Sequence, residues 1–311
     1  MTLDPDVAAL LGGPDDSDMD DIAASRAVGA ALNAQSNARR PPLAPGIRVR
    51  DTAVPASATH AVPIRIYQRD GVETPSGALL FIHGGGFIFG DLDSEHDRLL
   101  TYLDLADVTI VSVDYRLAPE HPFPAGLDDC WTVLTWLVEN AVSLGVDPAR
   151  IGVGGASAGG ALAAGLALRC RDEGLTIAAQ MLIYPVLDDR CATASMATFD
   201  ECDPWSGRRN RQMWPLYLGH EGEAPVYAAP ARAQDLTGLP ATYLMSCEED
   251  PLRDEELAYA QRLLDAGVGV ELHHYPGTYH AFDVIAPDAA VSRRAFAEHA
   301  GFVQRRLGVS R

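Results

Sequence analysis

The chain has 311 residues, of which 47% are hydrophobic and 22% charged, as is typical of a globular protein with a large buried core. It contains no heptad run, Gly-X-Y period or low-complexity tract, which excludes fibrous and wholly disordered classes. The 43 acidic residues outnumber the 24 basic ones, all of them arginine, and give a net charge of −19. This balance argues against a nucleic-acid partner, because phosphate backbones attract basic surfaces.

Targeting and redox signals are also absent from the sequence. No 18-residue apolar stretch is present, and the first residues lack the basic start and long apolar run of a secretory signal. We therefore expect a cytoplasmic protein without stable membrane association. The five cysteines are widely spaced and show no C-x-x-C pattern, so we expect neither a disulfide framework nor a zinc site. The oligomeric state is left open, with a homodimer as one option.

The first predicted element is a helical arm. Residues 1–45 are acidic and alanine-rich, with helical spacing from Asp20 to Gln35 that ends at a pair of prolines. Residues 47–54 and 62–68 then alternate apolar and polar side chains. Such alternation predicts half-exposed antiparallel strands at the start of a sheet.

From residue 78 onward the pattern changes to short continuous apolar runs, which predict strands covered on both faces. These runs occupy residues 78–83, 109–115, 151–155, 178–184, 241–246 and 270–275. Helical patterns lie among them at about residues 126–143, 158–173, 254–267 and 288–307. The alternation predicts a three-layer α/β sandwich with a mainly parallel sheet.

One aromatic-rich section, residues 188–239, is too long for an ordinary loop between a helix and a strand. We expect an inserted helical cap that packs with the arm over the strand ends; the alternative is a loop anchored by its aromatics. The predicted division is an arm that forms part of the cap (1–45), a core (46–187), a cap insertion (188–232) and a second core segment (233–311).

The sequence Gly155-Ala156-Ser157-Ala158-Gly159-Gly160 follows an apolar strand and opens an Ala/Leu-rich helix. This is the G-x-S-x-G pattern of a nucleophile elbow, in which a tight strand-to-helix turn projects the serine above the sheet. The helix N-terminus behind Ser157 favours developing negative charge and leaves the Ala158 amide free to donate. We therefore expect Ser157 to be a nucleophile.

A second glycine-rich turn, His83-Gly84-Gly85-Gly86-Phe87, directly follows the predicted strand 78–83. Consecutive glycines expose backbone amides and let them approach a ligand, as an oxyanion hole requires. Together with the elbow, this turn predicts an oxyanion hole formed by the amides of Gly85, Gly86 and Ala158. Gly84 remains an alternative to one of these donors.

Five motifs occur in one order: HGGGF at 83–87, DYRLAPEHPFPAGLDD at 114–129, GASAGG at 155–160, DPLRDE at 250–255 and YHAF at 279–282. On these motifs the chain resembles the hormone-sensitive-lipase-like family of α/β-hydrolase carboxylesterases. The resemblance implies an α/β-hydrolase fold, with a mainly parallel eight-stranded sheet between helices and a helical cap. It departs from the family pattern at Ala156, where aspartate is usual, and at Ala281, where glycine is usual.

The remaining triad members come from chain order and from the resemblance. In α/β-hydrolases the order is serine, acid, histidine, and the acid and histidine follow strands. The DPLRDE motif implies Asp250 as the acid, with Glu248, Glu249 and Asp254 as nearby rivals. His280 follows the strand 270–275 and is the expected base.

Other residues receive supporting roles. We expect Phe87, Trp205, Met213 and Trp214 to bind the substrate. Segment 114–129 is interpreted as structural, with Arg116 and Glu120 able to pair and His83 and His121 orienting loops.

The sequence therefore predicts a serine carboxylesterase acting on small-molecule esters with short to medium acyl chains, without a metal or other cofactor. An amidase or deacetylase using the same triad is one alternative. A non-catalytic small-molecule receptor of the same fold is another, although such a receptor would be expected to lack the triad Ser or His.

Overall fold

The computed structural model describes residues 3–12, 19–72 and 75–308. Its strands in chain order are β1 (Ile47–Pro55), β2 (Ala61–Arg69), β3 (Ser76–Ile82), β4 (Val108–Val113), β5 (Val146–Ala156), β6 (Ala179–Ile183), β7 (Ala241–Glu249) and β8 (Val270–Tyr279). Its α-helices are α1 (Pro5–Ala8), α2 (Ile22–Arg39), α3 (His96–Leu105), α4 (Ala125–Asn140), α5 (Ala158–Glu173), α6 (Ala194–Thr198), α7 (Gly207–Leu218), α8 (Arg253–Asp265), α9 (Phe282–Ile285) and α10 (Ala290–Arg306).

The strands form one sheet in the order β1-β2-β4-β3-β5-β6-β7-β8. The pairs β1–β2 and β2–β4 are antiparallel, and each later pair is parallel. This arrangement confirms the predicted α/β architecture with a mainly parallel, eight-stranded sheet. Parallel neighbours bring the carboxyl ends of β5, β7 and β8 to the same edge, where ligand sites of such sheets lie.

Both faces of the sheet are buried, as the continuous apolar runs predict. On β3, Leu80 packs into the core cluster that also contains Leu134 of α4 and Leu162 of α5. Its neighbour Phe81 points to the opposite face, into the cluster that contains Tyr102 of α3 and Phe302 of α10. Successive side chains of a strand point to opposite faces, so the run from Ala78 to Ile82 in β3 is apolar at each residue.

Several boundaries differ from the prediction. The arm helix α2 runs from Ile22 to Arg39, and β5 begins at Val146, five residues before the predicted run. Helix α3 was not predicted. Helices α6 and α7 lie in the aromatic-rich section between β6 and β7. The division into arm, cores and cap stays a prediction, and its residues 1–2, 13–18, 73–74 and 309–311 lie outside the described part of the chain.

The predicted pair of Arg116 and Glu120 is wrong. Arg116 instead pairs with Asp129, with Nη2 to Oδ1 at 2.9 Å, and its backbone amide donates to the same carboxylate. Glu120 accepts from Arg26 of α2 at 2.8 Å. Helix α4 begins at Ala125 and places Asp129 against Arg116, near the start of segment 114–129. Helix α2 contacts Glu120 through Arg26.

Within residues 3–12, 19–72 and 75–308, no helix has the length and apolar character needed to cross a bilayer.

His299 of α10 is a buried neutral group whose titration affects stability. Its Nδ1 lies 2.8 Å from the Tyr102 hydroxyl and its Nε2 lies 3.1 Å from the sulfur of Met245. Burial lowers the pKa of His299 from its ordinary value to about 3. In the unfolded chain His299 becomes protonated as the pH falls below about 6.5, whereas in the folded chain it stays neutral down to about pH 3. The free energy of unfolding therefore decreases as the pH falls through that range.

We predict that His299→Gln reduces the acid sensitivity of the fold. Between pH 7.5 and pH 5, the wild type should lose about 2 kcal/mol more of its free energy of unfolding than the variant. Urea unfolding at the two pH values measures the difference. His220→Gln, at an exposed position, is the control and should follow the wild type; equal losses in wild type and His299→Gln would contradict the assignment.

Candidate active site

Ser157 lies between the end of β5 and the start of α5, in a strained conformation with φ of +55° and ψ of −120°. A non-glycine residue in such a region costs about 1–3 kcal/mol unless its surroundings hold it there. Here the Ser157 amide donates to the Ile183 carbonyl at 2.9 Å, and its carbonyl accepts from Ala161 and Val186. Hydrogen bonds on both sides of the residue thus fix the turn that raises its hydroxyl.

The first turn of α5 passes very close to β3, and this closeness requires glycine. A Cβ built on Gly159 would lie 2.0 Å from the Ile82 carbonyl oxygen and 2.4 Å from that of His83. Any side chain would push α5 away from the sheet. The glycine of the G-x-S-x-G pattern is therefore a steric requirement of the turn.

Ser157, His280 and Asp250 form a continuous hydrogen-bonded chain. His280 Nε2 lies 2.9 Å from Ser157 Oγ, and His280 Nδ1 lies 2.7 Å from Asp250 Oδ2. Asp250 is fully buried and Ser157 and His280 are 7% and 5% exposed. The other Asp250 oxygen accepts the Leu252 amide at 2.9 Å. A carboxylate on Nδ1 fixes the tautomer in which Nε2 is free to accept a proton from the serine hydroxyl.

The rival acids have other partners. Glu248 accepts the Gly277 amide at 2.7 Å, and Asp254 accepts the Ser195 amide at 2.7 Å while it pairs with Arg253. The structure thus places Asp250, and none of these rivals, on the His280 ring. The catalytic roles themselves remain predictions.

The glycine loop, residues 83–90, lies beside the elbow. A Cβ built on Gly84 would be 3.4 Å from the Cβ of Ser157. Gly85 has φ of +106°, and its carbonyl accepts the amides of Ile88 and Phe89 in a tight turn. Among the described residues, the amides of Gly85 and Gly86 donate no hydrogen bond to a backbone carbonyl. Together with Ala158, the first residue of α5, they can donate to an anion above Ser157.

His83 stabilises the loop as a neutral ring. It stacks on Tyr115 with ring centroids 4.3 Å apart, and its Nδ1 lies 2.7 Å from the Gly84 carbonyl. Burial lowers the pKa of His83 to about 4. The imidazole therefore donates to this carbonyl without adding a charge to the glycine loop.

Two buried glutamates flank Asp250. Burial raises the pKa of Glu255 and Glu256 well above the ordinary value, and the negative charge of Asp250 raises both further. Glu255 accepts the amides of Leu187 and Asp188. Burial thus favours the neutral form of both glutamate side chains over the charged form.

A cavity of about 450 Å³ opens above Ser157. Its apolar wall is formed by the side chains of Tyr184, Pro204, Trp205, Val284 and Ile285. Its polar wall is formed by α2 and by the segment after the glycine loop, through Ser25, Arg26, Asn33, Asp91, Ser94 and Glu95. The site is therefore a partly open pocket lined by both apolar and polar residues.

Of the four residues predicted to bind substrate, Trp205 lines this cavity and Phe87, Met213 and Trp214 do not; the binding role of all four stays a prediction. Phe87 stacks on Tyr217 with ring centroids 3.6 Å apart, and Met213 is fully buried. Met213 and Trp214 are buried residues of α7 and pack into the core cluster that also contains Phe87.

The sequence analysis missed Tyr184, the α2 residues and the residues after His280. Position after a strand was a usable signal for Tyr184, which directly follows β6. No group of three or more His, Cys, Asp or Glu side chains suited to a metal occurs in the part of the chain that the structure describes.

Residues 79–284 match the sequence model of a family described as having the alpha/beta hydrolase fold. Carboxylesterase NlhH of Mycobacterium tuberculosis is 37% identical over 263 residues, covering 80% of this chain and 81% of that protein. Esterase LipI of the same organism is 38% identical over 252 residues, covering 78% of this chain and 77% of LipI.

Solved structures agree over nearly the whole length. A bacterial heroin esterase superposes with a TM-score of 0.93 at 42% identity, covering 99% of both chains. Esterase LipW of Mycobacterium marinum superposes with a TM-score of 0.92 at 41% identity, covering 98% of this chain and 96% of LipW. The chain belongs to the hormone-sensitive-lipase-like family of α/β-hydrolases. It is a carboxylic ester hydrolase, as are these relatives.

The glycine contacts of this esterase give a testable prediction. Gly159→Ala should abolish folding or displace α5, because its Cβ would overlap two backbone carbonyls. Gly269→Ala, where a Cβ meets no atom within 4 Å, is the matched control and should change the melting temperature little. Circular dichroism and thermal melts of both variants make the comparison. A Gly159→Ala protein with wild-type melting and activity would show that the turn has more room than this geometry gives it.

Proposed function

We propose that the esterase hydrolyses short to medium acyl esters through a Ser157–His280–Asp250 triad and an acyl-enzyme. The observation that supports this most directly is the chain of two short hydrogen bonds, 2.9 Å from Ser157 Oγ to His280 Nε2 and 2.7 Å from His280 Nδ1 to Asp250. It lies at the floor of the cavity, next to the glycine loop.

In the proposed acylation step, Ser157 Oγ attacks the ester carbonyl carbon while His280 Nε2 accepts the hydroxyl proton. The tetrahedral oxyanion accepts hydrogen bonds from the amides of Gly85, Gly86 and Ala158. Its collapse breaks the bond to the alcohol oxygen, which leaves with the proton from His280. Asp250 stabilises the imidazolium that exists between these two transfers.

Deacylation repeats the sequence with water. His280 accepts a proton from the attacking water, the new oxyanion uses the same amides, and Ser157 leaves with the proton that His280 returns. The products are the carboxylic acid and regenerated enzyme. A water-excluding site strengthens each of these electrostatic contacts, and the burial of the three residues supports such a site.

The proposed limit on acyl length rests on the size and walls of the cavity. Trp205 lies over the glycine loop: a Cβ built on Gly86 would be 2.9 Å from its ring. Its ring centroid is 6.3 Å from that of His280. Each buried methylene contributes about 0.8 kcal/mol until the space is filled. Longer chains then strain the wall or remain in water, so affinity stops rising.

The triad assignment predicts the effect of three substitutions. Ser157→Ala and His280→Ala should each lower kcat roughly 10⁴-fold or more, and Asp250→Asn somewhat less, because the three groups act as a unit. Hydrolysis of p-nitrophenyl butyrate by the folded variants measures these losses. Ser112→Ala is the control, since this buried serine of β4 has no partner for its hydroxyl among the described residues, and it should keep wild-type kcat. A folded Ser157→Ala protein with more than a tenth of wild-type kcat would overturn the proposal.

The cavity predicts a maximum in the dependence of kcat/KM on acyl length. Across p-nitrophenyl esters from acetate to palmitate, kcat/KM should peak at roughly four to eight carbons. Trp205→Ala should move this peak to longer chains by opening the wall above the glycine loop. Trp131→Ala is the control: this tryptophan of α4 stacks with Arg169 of α5, away from the cavity. Its loss should leave the acyl-length profile unchanged. A steady rise to palmitate in the wild type would show that the cavity does not limit chain length.

A further inference from the structure

Arg98 of α3 is completely buried, although no residue of the proposed triad touches it. Each of its side-chain nitrogens makes a 2.6 Å contact with a different group. Nε donates to Glu95, Nη1 donates to Asp283 Oδ2, and Nη2 donates to the Tyr184 hydroxyl. The Tyr184 hydroxyl in turn donates to Asp283 Oδ1 at 2.8 Å. We call these four residues the Arg98 cluster.

The first partner connects the cluster to the glycine loop. Glu95 precedes α3 and is 6% exposed. Burial raises its pKa, while the charge and hydrogen bond of Arg98 and the nearby Gly84 backbone lower it. Glu95 lines the same cavity as Gly84, Gly85 and Gly86, so its carboxylate lies between Arg98 and the loop of the proposed oxyanion donors.

The other partners connect the cluster to the histidine loop, residues 280–285, which includes α9. Asp283 lies three residues after His280 and accepts the Val284 amide at 3.1 Å. The Tyr184 ring packs against the His280 ring, with centroids 4.8 Å apart and an angle of 59° between the planes. The Arg98 guanidinium thus contacts Glu95 on the side of the glycine loop, and Asp283 and Tyr184 on the side of His280.

Stability alone does not explain this cluster. Removing one cation and two carboxylates from water costs several kcal/mol per ion, and apolar residues of similar volume often stabilise a fold as well or better. Charged hydrogen bonds differ from apolar contacts in being directional. A planar guanidinium bound at three nitrogens fixes the relative positions of its partners, which an apolar residue would not do.

We propose that Arg98 is a positioning residue that fixes the glycine loop and the histidine loop relative to each other. His280 and the oxyanion donors can then act on the same transition state. This inference rests on the proposed function of Ser157 and His280. Arg98 touches neither the cavity nor the reacting atoms, so its loss acts on geometry. A misplacement of about 1 Å in a catalytic constellation can cost about 100-fold in rate.

The test uses Arg98→Met, Arg98→Lys and Tyr184→Phe in the full chain. Arg98→Met should lower kcat about 10- to 100-fold with KM changed less than about threefold, because ground-state binding does not need the alignment. Arg98→Lys keeps the charge and should retain more activity than Arg98→Met. Tyr184→Phe removes only the hydroxyl between Arg98 and Asp283 and should lower kcat by a smaller factor.

A second readout separates positioning from folding. The rate at which a small organophosphonate labels Ser157 depends on the same base and oxyanion donors, and it should fall by the same factor as kcat in each variant. Arg262→Met is the matched control: Arg262 of α8 donates to the carbonyls of Ala231 and Ala233, so its loss should reduce stability without reducing the labelling rate. Tyr259→Phe is the control for a buried tyrosine, since its hydroxyl has no partner among the described side chains.

Labelling of folded Arg98→Met and Tyr184→Phe at the wild-type rate, whatever their stability, would overturn the inference. If Arg98→Met does not fold, Tyr184→Phe decides alone, with an unchanged labelling rate as the refuting result. Failure of the proposed function gives a different outcome, because the wild type itself would then not be labelled at Ser157.

Discussion

The active site depends on how closely the first turn of α5 approaches β3. Gly159 allows this approach, since a Cβ there would lie 2.0 Å from a carbonyl oxygen of the strand. The chain must then reverse within one residue, and Ser157 takes the positive φ that the reversal requires. The strain of about 1–3 kcal/mol is offset by the apolar packing of the buried helix α5 against the sheet. The position of the Ser157 hydroxyl above the sheet is thus a consequence of sheet–helix packing, and the parallel neighbours β7 and β8 end at the same edge, next to Asp250 and His280.

Motifs that depend on backbone shape could be predicted from the sequence, because glycines at fixed spacing have few physical explanations. The elbow and the glycine loop are of this kind, and their neighbours in space follow from the parallel strand order. The walls of the cavity could not be predicted in the same way. Which side of α7 faces the cavity depends on the elements that pack against it, and sequence spacing does not show that Met213 and Trp214 pack into the core cluster.

Helix α3 was missed for a related reason. Sequence periodicity identifies a buried helical face by its apolar residues. The buried face of α3 combines His96 and Arg98 with Leu99, Tyr102 and Leu103, so its apolar stripe covers little more than one turn and the first turn shows none. The partner of Arg116 was also hidden from local reasoning, since Asp129 is brought to it only by the direction in which α4 leaves the loop. Long-range ion pairs are set by topology, and sequence spacing carries little information about them.

The two sides of the cavity are held by different forces. The floor and the apolar wall continue into the close-packed core, where a displaced side chain costs several kcal/mol. Helix α2, which forms much of the polar wall, has Ser25 as its buried residue. It is attached by polar contacts along one face: Arg26 to Glu120, Asn33 to Asp91, and Arg40 to Asp97. The two ion pairs, each with an exposed carboxylate, contribute about 0–1 kcal/mol each and weaken with added salt. Ser157, His280 and the glycine loop are therefore fixed to the close-packed part of the molecule, whereas the polar wall formed by α2 depends on contacts that have water at their edge.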